Sequence, residues 1–142
     1  MKSEIVVYET PKSPEAEMFR NLRTNIQFMN ADSEKKVMVI TSTVPGEGKS
    51  FVSANLAAAF AQIDKKVLII DTDMRKGRQY TLFNLRPRPG LSNYLSGVVD
   101  QDFKGNKDNI ENYIQATYID NFLLTFELCS KQFQLLFHQL FQ

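Results

Sequence analysis

The sequence predicts an α/β fold, a P-loop-type parallel sheet flanked by helices, and three observations carry that expectation. An apolar run with β-branched residues, KKVMVITS at 35–42, leads into the loop TSTVPGEGKS at 41–50, and the loop leads into an alanine-rich segment of helical spacing over about 49–62. Strand, loop, helix is the order in which a chain presents backbone amides to phosphate. A second apolar run, KKVLIIDTD at 65–73, follows a turn at Asp64 and Lys65 and completes a β-α-β unit. Such a unit packs as a right-handed parallel pair, and near-continuous Val, Leu and Ile suit a sheet covered on both faces.

The remaining elements follow in chain order. Residues 5–8 read as a short extended run, and TPKSP then breaks the chain into an arm. Ser13 is the expected N-cap of a helix running to about Met29, with Pro14 at its first position and Glu15 and Glu17 at the positive end of its dipole. At 100° per residue, Phe19, Leu22, Ile26 and Met29 share one face, while Glu17, Arg20 and Arg23 share the opposite side. Beyond the second strand, 84–90 (NLRPRPG) is a turn-rich loop, LSNYLSG is a short helix ended by Gly97, and 105–108 is polar loop.

Composition narrows the function classes. With 142 residues, 43% of them hydrophobic, a single domain with a modest core is expected. Lys and Arg number 17 against 16 Asp and Glu, so the chain has no global field for nucleic acid or anionic lipid, and anion binding has to be local. A lone Cys129 rules out an internal disulfide framework, and the start MKSEIVVYET lacks the apolar core of a secretory leader. The longest weakly polar stretch, 51–63, is interrupted by Ser53 and Asn55 and falls short of the roughly 20 residues a membrane-spanning helix needs. These features imply a cytoplasmic chain that reaches a membrane only through a partner.

The chemistry sits in two motifs. In the loop, Gly46 and Gly48 can adopt the backbone angles that aim successive amides at phosphate oxygens, although Thr43 stands where the generic loop has its first glycine. Lys49 would reach the β- and γ-phosphates of ATP, and the Ser50 hydroxyl would ligate Mg²⁺. A tight strand-to-helix turn with an incidental lysine is the bland alternative. The second motif is IIDTDMRKGR, where Asp71 and Asp73 emerge at the carboxyl end of a strand, the edge at which open parallel sheets hold ligands. Asp71 is expected to act as general base and to contact Mg²⁺, Asp73 to hold the metal's water shell, and Arg75 to meet phosphate charge. A strand-ending turn with solvated charges would carry the same residues.

Taken together, TSTVPGEGKS, VLIIDTDMRKG and EMFRNLRTNI resemble the bacterial tyrosine kinases (BY-kinases) of capsule and exopolysaccharide synthesis, over about residues 5–121. The resemblance implies an ATP- and Mg²⁺-dependent protein-tyrosine kinase whose nucleotide contacts run through Pro45, Gly46, Glu47, Gly48, Lys49, Ser50 and Phe51, with Arg75. It implies that Glu17, Arg20 and Arg23, matching the family's Glu-x-x-Arg-x-x-Arg motif, join copies of the chain into a ring; a solvated helix face is the plainer reading of the same charges. It also implies a transmembrane activator of the polysaccharide co-polymerase type as partner; Arg86 and Arg88 are candidate docking residues, with a solvated loop the favoured reading of the same charges. The related partition-type ATPases carry a signature lysine where this chain has Val44, which sets them further away.

From residue 122 the pattern changes. The family continues with a Pro-Pro-Asn-Pro segment and an apolar strand ending in Asp-x-Pro-Pro, neither of which occurs in NFLLTFELCSKQFQLLFHQLFQ. Residues 1–121 therefore read as an incomplete nucleotide-binding domain and 122–142 as an atypical tail, as a frame shift or truncation of a longer kinase would leave, with 122–125 still able to form a strand. A sheet without its later strands should show a bare face. Cys129 and His138, nine apart, match no standard metal spacing. The family's C-terminal tyrosine cluster has no counterpart, since Tyr8, Tyr80, Tyr94, Tyr113 and Tyr118 are scattered.

Overall fold

A computed structural model of the chain describes residues 4–29, 37–73, 77–98, 103–106, 108–120 and 122–127. They cluster into two compact units, one built chiefly from residues up to Val67 and the other from Leu68 onward.

The first unit is helical. Helix α2, Pro14–Phe28, begins where Ser13 caps it: the Ser13 hydroxyl accepts from the Ala16 amide at 3.1 Å, with Pro14 at the first position. Helix α3, Lys49–Ala61, buries Ala54 through Ala59 and Ala61, so it is apolar nearly all round and forms the centre of the unit. Small side chains let neighbours approach closely. Phe19 of α2 meets Phe51 of α3 edge to face at 5.7 Å between centroids.

Residues 5–8 are not extended. They begin a single helical turn, α1 (Val6–Glu9), in which the Ile5 carbonyl accepts from the Tyr8 and Glu9 amides. Among the described residues no strand pairs with the β-branched run, and a turn of helix buries both Ile5 and Val7 while closing its hydrogen bonds locally. Asn55, wholly buried on α3, fixes that turn: its Oδ1 accepts from the Val7 amide at 3.2 Å, and its Nδ2 donates to the carbonyls of Glu4 (2.7 Å) and Phe51 (2.9 Å). Gln62 adds a bond from its Nε2 to the Val7 carbonyl.

The expected strand at 35–42 also differs. Its described part, 37–42, has no ladder, and Val37 and Val39 are 80% and 84% exposed. Strand geometry is stabilised by pairing, and apolar sequence alone does not supply a partner. The β-α-β pair is therefore not formed among the described residues.

The second unit begins as the predicted strand β1, Val67–Asp71, leaves the turn at Asp64, whose φ is +60°. Two short helices follow, α4 (Gln79–Leu82) and α5 (Leu91–Ser96), the latter ended by Gly97 in the left-handed conformation as expected. A 3₁₀ turn, Ile110–Tyr113, leads to β2 (Gln115–Ala116) and β3 (Phe122–Glu127). The sheet order is β1-β3-β2, with β2 and β3 antiparallel and a one-residue irregularity between Gln115 and Ala116. Along β1 exposure alternates, leaving Leu68 and Ile70 46% and 53% exposed, so the strand is covered on one face and bare on the other. Tyr113 and Phe83 are the large buried side chains, Tyr113 lying against the rings of Phe103 and Tyr94.

Candidate functional site: the phosphate loop and the acid pair

Two glycines shape the loop. Gly46 and Gly48 have φ of +86° and +91°, in the region that L side chains rarely adopt, and a Cβ on either would touch nothing within 4 Å. Backbone conformation, with no close neighbour, is what requires glycine at both positions. Thr43 takes no positive φ, so the backbone at the position of the generic first glycine does not require glycine here. Gly48 is the N-cap of α3 and brings no capping side chain, so the first turn of the helix presents its dipole and amides without a built-in acceptor. Ser53 braces that turn by donating to the carbonyls of Lys49 (2.8 Å) and Ser50 (3.1 Å).

In front of the loop lies a cavity of about 380 Å³ lined by Ile40, Thr41, Ser42, Thr43, Glu47, Lys49 and Val52. Lys49, the first residue of α3, sends its Nζ back across it to the Ser42 Oγ at 2.7 Å, and Ser42 in turn donates to the Val44 carbonyl at 2.9 Å. Ser42 was not singled out by the motif. The signal that could have found it is a hydroxyl seven residues before the lysine, at the start of the loop. Pro45, Gly46 and Glu47 sit exposed on the turn, Ser50 occupies the second position of α3, and Phe51 faces inward to Phe19.

The acid pair belongs to the second unit. Asp71 closes β1 and is half-buried, whereas Asp73 is exposed. The Asp71 carboxylate organises its own loop: Oδ1 accepts from the Asp73 amide at 3.0 Å, and Oδ2 accepts from the amides of Arg78 (3.1 Å) and Gln79 (3.3 Å). It thereby caps α4, which has no cap from Arg78 itself. A carboxylate offers about four acceptor positions, so these bonds leave capacity for one more donor or a cation. Arg75 lies outside the described residues, as do Cys129 and His138. Among the described residues no three of His, Cys, Asp and Glu gather into a metal-binding group, and no helix is long and apolar enough to cross a membrane.

Glu17, Arg20 and Arg23 do share a side of α2, but the two arginines are half-buried and turn toward α3. Arg20 pairs with Glu17 at 2.9 Å, donates to the Pro11 carbonyl and reaches Gln62 Oε1 at 3.4 Å. Arg23 Nη1 donates to the Ala59 carbonyl at 2.8 Å. The expected inward stripe is only partly kept: Phe19 and Ile26 are half-buried, while Leu22 and Met29 are 39% and 81% exposed. The backbone amides after α3 serve the carbonyls of Ala58, Phe60 and Ala61, and Arg23 from this face of α2 serves that of Ala59, which turns the arginine side of the helix inward.

Residues 38–130 match the CobQ/CobB/MinD/ParA nucleotide binding domain, well over half of the chain. The tyrosine-protein kinase YwqD of Bacillus subtilis (strain 168) is 41% identical over 117 residues, covering 82% of this chain and 46% of its own length. Among solved structures, the crystal structure of the chimerical protein CapA2B2 superposes with a TM-score of 0.73 at 38% identity, over 99% of this chain and 62% of that one. The kinase domain of the Escherichia coli tyrosine kinase ETK gives a TM-score of 0.73 at 36% identity, over 85% of this chain and 44% of its own. The chain thus spans about half the length of the relatives it matches. Sequence, loop geometry and fold agree: the chain belongs to the CobQ/CobB/MinD/ParA nucleotide-binding family, on its bacterial tyrosine kinase branch.

Proposed function

We propose that this chain binds ATP with Mg²⁺ at the 41–50 loop and works as a protein-tyrosine kinase in the control of capsular or extracellular polysaccharide synthesis. The observation that carries the reading is the conjunction of Gly46 and Gly48 at positive φ with an uncapped helix start and a lysine ammonium lying over the cavity in front of them. A triphosphate would offer charged acceptors to the loop amides and to Lys49. Ser50, Asp71 and Asp73 are the residues offered to Mg²⁺, an ion that would neutralise charge between the phosphates. Asp71 would take the proton of an incoming tyrosine hydroxyl, and Arg75 would meet phosphate charge. Pro45, Glu47 and Phe51 complete the loop around the nucleotide.

A transmembrane activator of the polysaccharide co-polymerase type is the proposed partner, placing the chain at the cytoplasmic face of the membrane. Glu17, Arg20 and Arg23 are the proposed ring contacts, in addition to the bonds that two of them make within the chain. For acceptor tyrosines, Tyr8 and Tyr118 are about half exposed and Tyr113 is fully buried, which favours the former two.

One observation supports a second reading, a nucleotide-binding regulatory protein without catalysis: the Asp71 carboxylate already serves three backbone amides. Incubation with labelled ATP, Mg²⁺ and an intact kinase of the same family separates the readings. Phosphotyrosine formed by this chain supports the kinase, release of free phosphate alone supports a partition-type hydrolase, and bound nucleotide with neither supports the regulatory protein. Absence of any bound nucleotide would overturn all three.

A further inference from the structure

We infer that the loop 84–90 is a pre-ordered recognition site for an acidic segment of a partner protein, with Arg86 and Arg88 as its two charged contacts. Composition alone leaves both arginines on a solvated loop, yet the backbone of that loop is pinned on both sides. The Leu85 amide donates to the Tyr80 carbonyl at 2.8 Å. Gln115, on β2, then holds Arg86 by both of its backbone groups: Oε1 accepts from the Arg86 amide at 3.2 Å and Nε2 donates to the Arg86 carbonyl at 2.8 Å. A side-chain amide thus does for this residue what a neighbouring strand would. At the other end Gly90 is buried, its amide donating to Asn93 Oδ1 at 3.0 Å and its carbonyl accepting from the amides of Asn93 and Tyr94. Between these anchors lie Pro87, Arg88 and Pro89, and the proline rings fix φ at both flanks of Arg88.

The backbone is committed and the charges are not. Arg86, Pro87 and Arg88 are exposed, and neither guanidinium makes a hydrogen bond or ion pair among the described residues. A binding loop gains from such pinning, because ordering completed on folding is not repeated on association. Chemistry then selects the partner. Guanidinium forks meet carboxylates in bidentate pairs, which a peptide carrying several acidic side chains supplies. The Cα atoms of Arg86 and Arg88 are no more than about 7 Å apart, the span of acidic residues about two positions apart on an extended peptide. Nucleic acid and anionic membranes are bound through many cations at once, whereas this loop offers two in a chain of net charge +1. The inference does not depend on the kinase reading, and no nucleotide enters its test.

Fluorescence anisotropy with a dye-labelled oligo-glutamate peptide, at low salt and on the full chain, tests the idea. Saturable binding by wild type is expected, weakened about threefold by Arg86→Ala or Arg88→Ala alone and about tenfold by the two together, as for exposed bidentate pairs. No saturable binding by wild type, or wild-type affinity in the double variant, overturns the inference. Gln115→Ala changes no charge, so it separates a built site from general attraction. It should weaken the peptide about threefold by freeing the loop; wild-type affinity in that chain, shown folded by circular dichroism, overturns the pre-ordering. Gln115→Met, of nearly equal length, replaces it if the Ala chain does not fold. Labelled oligo-thymidylate and phosphatidylserine vesicles complete the test: tighter binding of either than of the peptide, lost in the same arginine variants, overturns the acidic segment as occupant, and weaker binding of both upholds it.

Discussion

Arg23 Nη1 donates to the carbonyl of Ala59 at 2.8 Å, tying α2 to the last turn of the helix that starts at the phosphate loop. The last carbonyls of any helix lack intrahelical partners, and this one is supplied by an arginine from 36 residues upstream. A motif that reads as a contact between subunits thus also holds one copy together.

Arg23→Ala should therefore destabilise the isolated chain by about 1–3 kcal/mol, the cost of leaving a half-buried carbonyl without its charged donor. Urea unfolding at several protein concentrations checks this. A loss that is the same at every concentration is expected; a loss that vanishes on dilution would mean that Arg23 acts only between copies.

Asn55→Ala removes three side-chain hydrogen bonds at one fully buried site and should cost about 2–3 kcal/mol, chiefly because the buried Val7 amide loses the Asn55 carbonyl oxygen while α1 loses its tie through Glu4. Hydrogen exchange localises the effect. Amides of α1, above all Val7, should exchange at least tenfold faster, and unchanged protection there would show that α1 is held by other means.

Gly48→Ala isolates backbone conformation, because the added methyl would meet nothing within 4 Å. With φ at +91° the cost is about 1–2 kcal/mol of strain, and relief of that strain turns the loop amides away from phosphate. A drop of about tenfold or more in Mg-ATP affinity is expected by calorimetry, each tenfold being about 1.4 kcal/mol. Wild-type affinity would mean that the left-handed turn is not needed for binding.

Tyr113 gives a pH dependence. Burial, then the negative charge of Asp108, then Tyr94 raise its phenol above the ordinary value of 10.0. Since the folded value lies above the unfolded one, stability is at its full level below about pH 10 and falls as pH rises from there through the folded value. Tyr113→Phe should be less sensitive to alkali over that range in thermal melts; an identical alkaline decline in both chains would contradict the burial argument.

The backbone geometry of the candidate loop was legible because it is local. Gly46, Gly48 and Lys49 are tied to each other by a few residues of backbone, and Ser13-Pro14 and Gly97 mark helix ends by the same short-range rules. What escaped depends on distant partners. Ile5, Val6 and Val7 have strand-like side chains, and only Asn55, 48 residues on, makes a helical turn the better solution. The inward face of α2 was misjudged at Leu22 and Met29 because the helical period counts apolar side chains and is blind to an orphan carbonyl at Ala59. Residues 37–42 have the composition of a strand without a described neighbour to pair with.

The central claim is that Lys49 and the amides behind Gly46 and Gly48 grip a nucleotide triphosphate. Calorimetric titration of Mg-ATP into the wild-type chain and into Lys49→Met, with circular dichroism showing both folded, tests it most directly. Saturable binding by the wild type and none by the variant is the predicted result; equal affinity in the two, or no heat from either, would contradict it.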